Sequence, residues 1–299
     1  DFNGNGKADE MGLVGTYGDN YTSVVRALMN AFVYAGDPNY YTVQDGAVGF
    51  AYTTDAWKEG LKYIRTLFAE DLIPSTVLTM DSSQYQTLLN QEENCAFIFL
   101  SNWLGIFSSG NPTAQECGFF TPVTGPDGVC YASYSAVAPK ATFLVTADCE
   151  YPEAAFRLGD LMLSKDQSII TRWGLEGSDW EYYEKVENKD EFCSAYTDEF
   201  DMSICTFNAS FWSEPQNSSL RQNGPFIREY SIAAGIAKKP EAMTNDIVTN
   251  ANSQMAYNSG KYWPAESIPV LIFNDEELAA VNDKLTTLTN RVNEETAAF

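Results

Sequence analysis

The chain has 299 residues, of which 44% are hydrophobic and 20% are charged, enough for two α/β lobes or one large domain with a sizeable core. Its 41 acidic and 18 basic residues give a formal net charge of −23, which repels phosphate backbones and makes nucleic acid an unfavourable partner. Histidine is absent, so catalytic triads, acid–base pairs and metal sites that use histidine are excluded.

The first ten residues, DFNGNGKADE, have the pattern of a calcium loop. Ca²⁺ takes about six to eight oxygen ligands, and side chains at alternate positions around a glycine turn point to one side. Position 12 of the loop is Gly12, so the usual bidentate acid is missing there. The alternative is a plain Asn-Gly turn with a solvated acidic face. A structural Ca²⁺ is expected, with these ligands: Asp1, Asn3, Asn5, the backbone carbonyl of Lys7, Asp9 and Glu10.

Apolar residues at three- and four-residue steps predict helices at 22–34, 53–73, 82–91, 151–164 and 273–295. In the helix at 53–73 the predicted inward positions are Trp57, Leu61, Ile64, Phe68 and Leu72. In the helix at 151–164 they are Ala155, Leu158, Leu161 and Met162. The last helix is expected to begin after Asn274 and to bury one long stripe, formed by Leu278, Val281, Leu285, Leu288 and Val292.

Between the helices, short apolar runs predict strands at 11–15, 96–100, 117–123 and 142–146. Strands that alternate with helices indicate a layered α/β fold. Six cysteines form no CxxC pair. Cys117 with Cys130, and Cys193 with Cys205, are close enough in sequence to form disulfides, but all six are equally suited to packing as small apolar side chains.

The order of four segments resembles the extracellular solute-binding proteins (family 1) of ABC importers, in the long branch that includes alginate-oligosaccharide-binding proteins. The segments are DFNGNGKADEMGLVG, TTDAWKEGLKYIRTLFAEDLI, QYQTLLNQEENCAFIFLSNW and YPEAAFRLGDLMLSKDQSIITRWGLEGSDWEYY. The first is the most specific, because that branch has a short calcium loop ahead of a strand. The resemblance covers nearly the whole chain but matches only the later part of the family's chain. The first part of the N-terminal lobe is therefore expected to be absent, and the last helix to stop slightly short.

The resemblance implies a periplasmic-binding-protein-like II fold, with two α/β lobes joined by a hinge. Residues 1–122 and 225–299 would form most of the C-terminal lobe, 131–215 part of the N-terminal lobe, and 123–130 and 216–224 the hinge crossings. It also implies a monomeric binder that delivers an oligosaccharide to the membrane subunits of an ABC permease. Such a protein is extracellular, at the cell surface, and would be lipid-anchored through the segment absent from this sequence.

Trp103 is the first candidate for sugar stacking, because SNW directly follows the strand AFIFL. Open α/β sheets bind ligands at the carboxyl ends of their strands, and the resemblance matches this position to a sugar-stacking tryptophan of maltodextrin binders. The alternative is a tryptophan packed under the next helix.

Further candidate ligand-binding residues follow the helix at 151–164 or lie near the proposed crossings. Trp173 and Glu176 lie in a loop with two glycines, where the backbone can approach a ligand. Packing inside the protein is the alternative for each aromatic candidate. The remaining candidates are Trp212 and Tyr134. Arg172, Arg221 and Arg228 are suited to an anionic sugar, but with so few cations a neutral ligand is expected.

Three functions are compatible with the sequence. The first is non-catalytic carbohydrate binding. The second is a glycosidase-like enzyme that uses two carboxylates, which 41 acidic residues do not exclude. The third is a calcium-stabilised surface interaction module.

Overall fold

The computed structural model describes residues 4–7, 9–19, 21–37, 39–92, 95–108, 110–133, 143–194, 202–207, 224–227, 235–258, 260–269 and 271–299. The chain divides into two compact units, Asp1–Ala138 with Ser253–Phe299 (unit 1), and Pro139–Asn252 (unit 2). The assignment of residues to C-terminal lobe, N-terminal lobe and hinge stays a prediction.

In the described part of the chain, helices and strands are interspersed, with runs of up to three helices and four strands. The strands are β1 (Met11–Val14), β2 (Tyr41–Gln44), β3 (Ala47–Phe50), β4 (Ala96–Phe99), β5 (Trp180–Tyr182), β6 (Cys193–Ser194), β7 (Ile204–Thr206) and β8 (Ile236–Lys238). The helices are α1 (Val24–Met29), α2 (Asp55–Ala69), α3 (Ser82–Leu89), α4 (Thr113–Glu116), α5 (Pro152–Met162), α6 (Lys165–Trp173), α7 (Asn245–Asn258) and α8 (Asp275–Ala298).

Unit 1 contains a parallel strand pair and a hairpin. β1 pairs with β4 in parallel register, with Met11 opposite Ala96 and Val14 opposite Phe99. β2 and β3 form an antiparallel hairpin. Its turn residues, Asp45 and Gly46, both have positive φ angles of 52° and 73°, as a tight hairpin turn of this twist requires.

The largest core cluster of unit 1 packs α1 and α2 together around Met29, Tyr40, Trp57 and Ile64. A second cluster packs β1, α3 and β4 together through buried residues that include Val14, Tyr85, Leu89 and Ala96. The second cluster therefore holds the strand pair against α3.

Unit 2 has a four-stranded sheet in the order β5-β7-β8-β6. β7 and β8 are parallel, and the two outer pairings are antiparallel. Ile169 of α6 packs with Trp180 and Ile204 on one face of this sheet. Phe192, Cys205 and Ala237 form a separate cluster.

All five predicted helices are confirmed. Four of them begin at a side-chain cap, and α5 begins instead with Pro152 in its first turn. The Thr54 hydroxyl accepts a hydrogen bond from the backbone N–H of Trp57 (3.2 Å) at the start of α2. Asp81 and Asn274 form capping boxes at the starts of α3 and α8. Such reciprocal caps satisfy backbone N–H groups that the first helical turn leaves without partners.

The strands predicted at 11–15 and 96–100 are confirmed, but two other strand predictions are wrong. Residues 117–123 form no strand; they include Pro122, and the carbonyl of Phe120 accepts a hydrogen bond from the Tyr257 hydroxyl (3.0 Å) instead of a ladder bond. The described residues 143–146 also form no strand. Phe143 packs there against Gly159 of α5, where an added Cβ would lie 2.7 Å from the ring.

The inward face of α5 differs from the predicted one. Leu158 and Leu161 are more than half exposed, while Gly159 is buried and Ala155 and Met162 are partly buried. Residues 155, 159 and 162 follow the four- and three-residue steps of one helix face. The buried face is therefore the one on which a glycine admits the ring of Phe143.

The buried stripe predicted for the last helix is also wrong, since α8 has no fully buried residue. Its attachment lies near its carboxyl end. Val292 packs on the α1–α2 cluster, the Tyr17 hydroxyl donates a hydrogen bond to the Asn293 carbonyl (2.8 Å), and the Arg65 guanidinium lies 5.0 Å from the ring centre of Phe299.

The six cysteines are free thiols, so neither pair that is close in sequence forms a disulfide. Burial raises the pKa values of Cys117 and Cys205 to about 11, which keeps both protonated at neutral pH. Among the described residues, no helix combines the length and apolar character needed to cross a membrane.

Replacing Tyr17 with Phe removes the hydroxyl that binds Asn293. The free energy of unfolding is expected to fall by about 1 kcal/mol at pH 7. Burial raises the pKa of Tyr17 from 10.0 to about 12, so its contribution is complete below pH 10 and is lost as the pH rises toward 12. Urea unfolding at pH 7, 9 and 11 should give a difference between wild type and variant that is constant up to pH 9 and smaller at pH 11.

The matched control is Tyr63→Phe, because Tyr63 is exposed on α2. Its effect on stability should stay within about 0.5 kcal/mol at pH 7. An undiminished difference between wild type and Tyr17→Phe at pH 11 would contradict the assignment of this titration to Tyr17.

Candidate functional site

The buried hydroxyl of Tyr85 holds the backbone at Leu100, the residue that directly follows β4. Tyr85 of α3 is 1% exposed. Its hydroxyl donates a hydrogen bond to the Leu100 carbonyl (2.8 Å) and accepts one from the Leu100 N–H (3.0 Å). Burial raises the pKa of Tyr85 well above its usual value, so the hydroxyl remains a donor. The backbone at Leu100 is therefore held in place where the segment 101–108 begins.

Trp103 lies three residues further on, and its ring is exposed although its backbone is held. The Ser101 hydroxyl accepts a hydrogen bond from the Trp103 N–H (3.1 Å) and donates one to the Trp103 carbonyl (2.6 Å). Leu104 and Phe107 anchor the next turn in the core. The residue as a whole is 56% exposed.

Gly105 determines where that indole lies. A Cβ added at Gly105 would overlap the six-membered ring of Trp103. The indole thus covers the backbone of Gly105 and presents one face outward. Only glycine leaves room for the ring in this position.

α3 holds the far side of this segment through amide side chains. The Asn90 side chain donates a hydrogen bond to the Ile106 carbonyl (2.9 Å) and accepts one from the Ser108 N–H (2.6 Å). Gln86 also donates to the Ile106 carbonyl (3.3 Å). Residues 101–108 are consequently fixed at both ends, which pre-organises the Trp103 ring.

A second exposed aromatic ring belongs to Tyr21, which is 67% exposed. Its backbone N–H donates to Asp19 Oδ1 (2.7 Å), and the next N–H, of Thr22, donates to the same oxygen (3.2 Å). The Thr22 hydroxyl in turn pairs with the hydroxyl of Thr16 (2.7 Å). An Asx turn therefore holds Tyr21 at a defined position.

These parts meet in one groove of unit 1, with a volume of about 330 Å³. This is near the lower end of the roughly 300–1,000 Å³ of ligand pockets. Two exposed aromatic rings and several neutral hydroxyl and amide groups face it. The lining residues are Asp19, Tyr21, Thr22, Ser82, Tyr85, Gln86, Ser101, Asn102, Trp103, Gly105 and Ile106.

In unit 2, the candidates Trp173 and Glu176 already have protein partners. Trp173 is partly buried and packs against the cluster of Ile169, Trp180 and Ile204. Glu176 is exposed and forms an ion pair with Lys185; the hydrogen bond from Lys185 lowers the pKa of the Glu176 carboxyl. A ligand role for either residue stays a prediction.

The remaining aromatic and arginine candidates either have protein partners or lie outside the described residues. Trp180 is buried, and its indole N–H donates to the Gly174 carbonyl (2.8 Å). Arg172 lies over the ring of Phe226, 5.2 Å from its centre. Tyr134, Trp212, Arg221 and Arg228 lie outside the described residues.

The candidate calcium loop is described from residue 4 to 7 and at residues 9 and 10, whereas Asp1 and Asn3 lie outside the described part. Gly4 and Gly6 have φ angles of 73° and 75°, which makes a tight turn. The Asn5 Oδ1 accepts a hydrogen bond from the Lys7 N–H (2.8 Å), and its amide nitrogen lies 3.3 Å from an oxygen of Asp9. Two predicted ligands, Asn5 and Asp9, thus converge.

The donor set of this loop fits a hard cation. Carboxylate, amide and backbone carbonyl oxygens are the ligands that Ca²⁺ prefers. Among the described residues, no group of three acidic or cysteine side chains is close enough to hold a metal ion by itself. A complete shell would therefore need the amide and carbonyl oxygens and the two candidate ligands that the structure does not describe.

Of the residues that line this groove, the sequence identifies Trp103 as a candidate and does not identify Tyr21, Asp19, Gln86 or Asn102; a ligand role for Trp103 stays a prediction. The sequence carried a signal for the turn but not for the exposed ring, because an aspartate side chain such as that of Asp19 commonly binds the backbone two residues on. Gln86 lies on the polar face of α3, and only the β1–β4 pairing brings that face to the end of β4. Its position was not readable from local sequence.

No family model matches the chain. It is similar to the lipoprotein LipO of Bacillus subtilis (strain 168), with 23% identity over 275 residues, which cover 85% of this chain and 53% of LipO. The chain thus spans about half the length of this relative.

Several solved structures resemble this one. The S. pneumoniae ABC-transporter substrate binding protein FusA, in complex with kestose, has a TM-score of 0.59 and 20% identity over all of this chain and 57% of FusA. An EF-hand mutant of FusA with fructo-nystose also has a TM-score of 0.59.

Two further structures extend the comparison. An HMO binding ABC-transporter associated solute binding protein from Bifidobacterium longum infantis has a TM-score of 0.63 and 16% identity over 99% of this chain and 59% of its own. The alginate-binding protein AlgQ2 without calcium ion has a TM-score of 0.53 and 14% identity over 99% of this chain and 58% of AlgQ2. These similarities confirm the predicted fold class, that of solute-binding proteins.

Replacing Gly105 with Ala is expected to displace the Trp103 ring, because the added Cβ would overlap it. The exposed ring can rotate outward, so the free energy of unfolding should change by less than about 1 kcal/mol. ¹⁹F NMR of protein labelled with 5-fluorotryptophan measures the displacement, with the Trp103 resonance assigned from Trp103→Phe. That resonance should shift in Gly105→Ala.

Gly118→Ala is the matched control, since nothing lies within 4 Å of an added Cβ at Gly118. The Trp103 resonance should be the same in this variant and in the wild type. An unshifted resonance in Gly105→Ala would mean that the ring does not cover Gly105 in solution.

Proposed function

We propose that this protein is the extracellular substrate-binding component of an ABC transporter and binds an oligosaccharide without chemically altering it. The observation that supports this most strongly is the Trp103 indole, which is exposed while its backbone is held between Tyr85 and the buried Leu104. Apart from covering Gly105, this exposed ring is not part of a core cluster that the structure describes. It is suited to a ligand with a flat apolar face.

Sugar rings have such a face, formed by their C–H groups, and a rim of hydroxyls. Aromatic rings contact the face, and a few placed polar groups bind the rim. The groove offers both kinds of contact, with Trp103 and Tyr21 as rings and Gln86, Asn102 and Ser101 as neutral donors and acceptors. Because the segment is pre-organised, little ordering would accompany binding.

The similar structures support the same class of ligand. FusA was solved with kestose and with fructo-nystose, and the other two are named for binding HMO and alginate. Each has a fold similar to that of this chain, at identities of 20% or below. The proposal that this chain takes an oligosaccharide therefore depends on the groove as well as on the fold.

A glycosidase-like enzyme is the alternative. Such enzymes need two carboxyl groups, about 5–5.5 Å or 6.5–9.5 Å apart, across the bond that is cleaved. Asp19 is the one carboxylate among the groove residues that the structure describes. This composition favours binding over hydrolysis, and unaltered ligand after prolonged incubation would distinguish the two functions.

The proposed location is the outer face of the cell membrane, with an ABC permease as partner and the binding protein acting as a monomer. LipO is a lipoprotein, which supports attachment to the membrane by a lipid. The net charge of −23 favours solubility of the exposed protein.

A bound Ca²⁺ is proposed for the loop at residues 1–10, with Asn5 and Asp9 among its ligands. The ion would brace the start of β1, which begins at Met11, rather than contact the sugar. The structure of a FusA EF-hand mutant and that of AlgQ2 without calcium ion support calcium in proteins of this fold.

Trp103→Ala is expected to weaken oligosaccharide binding at least tenfold, about 1.4 kcal/mol, because the stacking surface is lost. Titration calorimetry with a panel of oligosaccharides measures the change for whichever member the wild type binds. Thermal unfolding should be nearly unaffected, since the ring is more than half exposed.

Tyr63→Ala is the control for loss of an exposed aromatic ring, because Tyr63 lies on α2 and does not line the groove. Its oligosaccharide affinity should equal that of the wild type. Undiminished affinity in Trp103→Ala would overturn the proposed site, and hydrolysis of the bound glycan would overturn the proposed function.

Removal of calcium is expected to lower the melting temperature more than it lowers oligosaccharide affinity. A ligand present at 100 times its Kd stabilises the folded state by about 2.7 kcal/mol. Thermal unfolding with Ca²⁺ and with chelator, and calorimetry well below the melting temperature, measure the two effects. Asp9→Asn should reduce the response of the melting temperature to chelator.

Asp127→Asn removes one charge from an exposed turn outside the loop and should respond to chelator as the wild type does. If chelator lowers affinity and melting temperature to the same degree, the ion belongs to the sugar site. If Asp9→Asn responds like the wild type, Asp9 is not a ligand.

A further inference from the structure

The described lining of the groove includes an acidic residue but no basic one. Of its described lining residues, Asp19 is the one acidic residue, and none is a lysine or arginine. The remaining polar groups are hydroxyls and amides. A ligand with a carboxylate in this groove would find neutral donors but no cation to form an ion pair.

Within the described part of the chain, one oxygen of Asp19 takes part in the turn and the other does not. Both hydrogen bonds of the Asx turn, from the N–H groups of Tyr21 and Thr22, end on Oδ1. In the described part of the chain Oδ2 has no hydrogen-bond partner. A carboxylate oxygen accepts hydrogen bonds and donates none, so Oδ2 is suited to a donor such as a sugar hydroxyl.

We propose that this groove selects an uncharged sugar ring over a uronate, with Asp19 Oδ2 accepting a sugar hydroxyl and repelling a carboxylate at the same position. This inference rests on the proposed function, because it names the class of ligand for that same groove. It distinguishes this chain from a binder of acidic glycans, although one protein of similar fold, AlgQ2, binds alginate.

The expected effect is about tenfold or more. Two like charges a few ångströms apart at a partly solvated surface repel strongly enough to change an equilibrium by at least that factor. A hydrogen bond to a charged acceptor adds to the preference for a hydroxyl. Salt would screen the repulsion, so the discrimination should decrease as the salt concentration rises.

The experiment uses the purified protein and pairs of trisaccharides that differ only by oxidation at C6. These pairs are cellotriose and its triuronate, galactotriose and trigalacturonate, and mannotriose and trimannuronate. Titration calorimetry at low and high salt gives the affinity ratio within each pair. The wild type should bind the neutral member of at least one pair at least tenfold more tightly than the uronate.

Asp19→Asn is the decisive variant, because the amide carbonyl can still accept both hydrogen bonds of the turn while the charge is removed. The affinity ratio should fall several-fold, and the salt dependence of uronate binding should decrease. Asp127→Asn removes the same charge outside the groove and should leave the ratio unchanged, which separates a local effect from that of net charge.

Each outcome has a separate meaning. Tighter binding of the uronate, or a ratio that Asp19→Asn leaves unchanged while neutral trisaccharides bind, overturns this inference alone. If no member of any pair binds, this inference is overturned, while the proposed oligosaccharide-binding function is decided separately by the calorimetric panel and Trp103→Ala. A fall in the ratio in both aspartate variants would assign the discrimination to the overall charge.

Discussion

The groove depends on the two hydrogen bonds that the Tyr85 hydroxyl makes with the backbone of Leu100. β1 and β4 are only four residues long each, and their parallel pairing ends where Leu100 begins. The Leu100 N–H also donates to the Val14 carbonyl (3.3 Å), so the buried Tyr85 hydroxyl reinforces the end of the ladder and ties it to α3. Buried backbone groups need such partners. The exposed indole is therefore an extension of the core, held by the same cluster that joins β1 to α3.

Local sequence predicted the helices better than it predicted their buried faces. Capping residues and periodic apolar positions belong to each segment itself, so α2, α3 and α8 could be found without knowledge of their neighbours. Which face is buried depends on the partner, and α5 illustrates this: its buried position is Gly159, where Phe143 packs. A rule that places large apolar residues inside selects Leu158 and Leu161 instead. The apolar run at 117–123 failed as a strand for the same reason, since no neighbouring strand pairs with it.

A residue of the candidate site could be predicted from the sequence only where a single helix or strand determines its position. Trp103 follows its strand directly, and the rule that ligands bind at strand ends applies to it without further information. Tyr21, Gln86 and Trp103 lie in three segments of the chain, and it is the pairing of β1 with β4 that gathers them. In unit 2 the sequence could not indicate that Lys185 would pair with Glu176, because the pairing depends on a bend of the chain around Gly177.

The attachment of α8 implies a gradient of hydrogen exchange along that helix. The contacts of Tyr17, Arg65 and the α1–α2 cluster are all with its last two turns, whereas its first turns are exposed to solvent. Local opening of a helix begins where buried contacts are fewest. Amide protons near Asn274 would therefore exchange first and those near Asn293 last. The capping box at Asn274 would accordingly control fraying of one end of the helix rather than global unfolding.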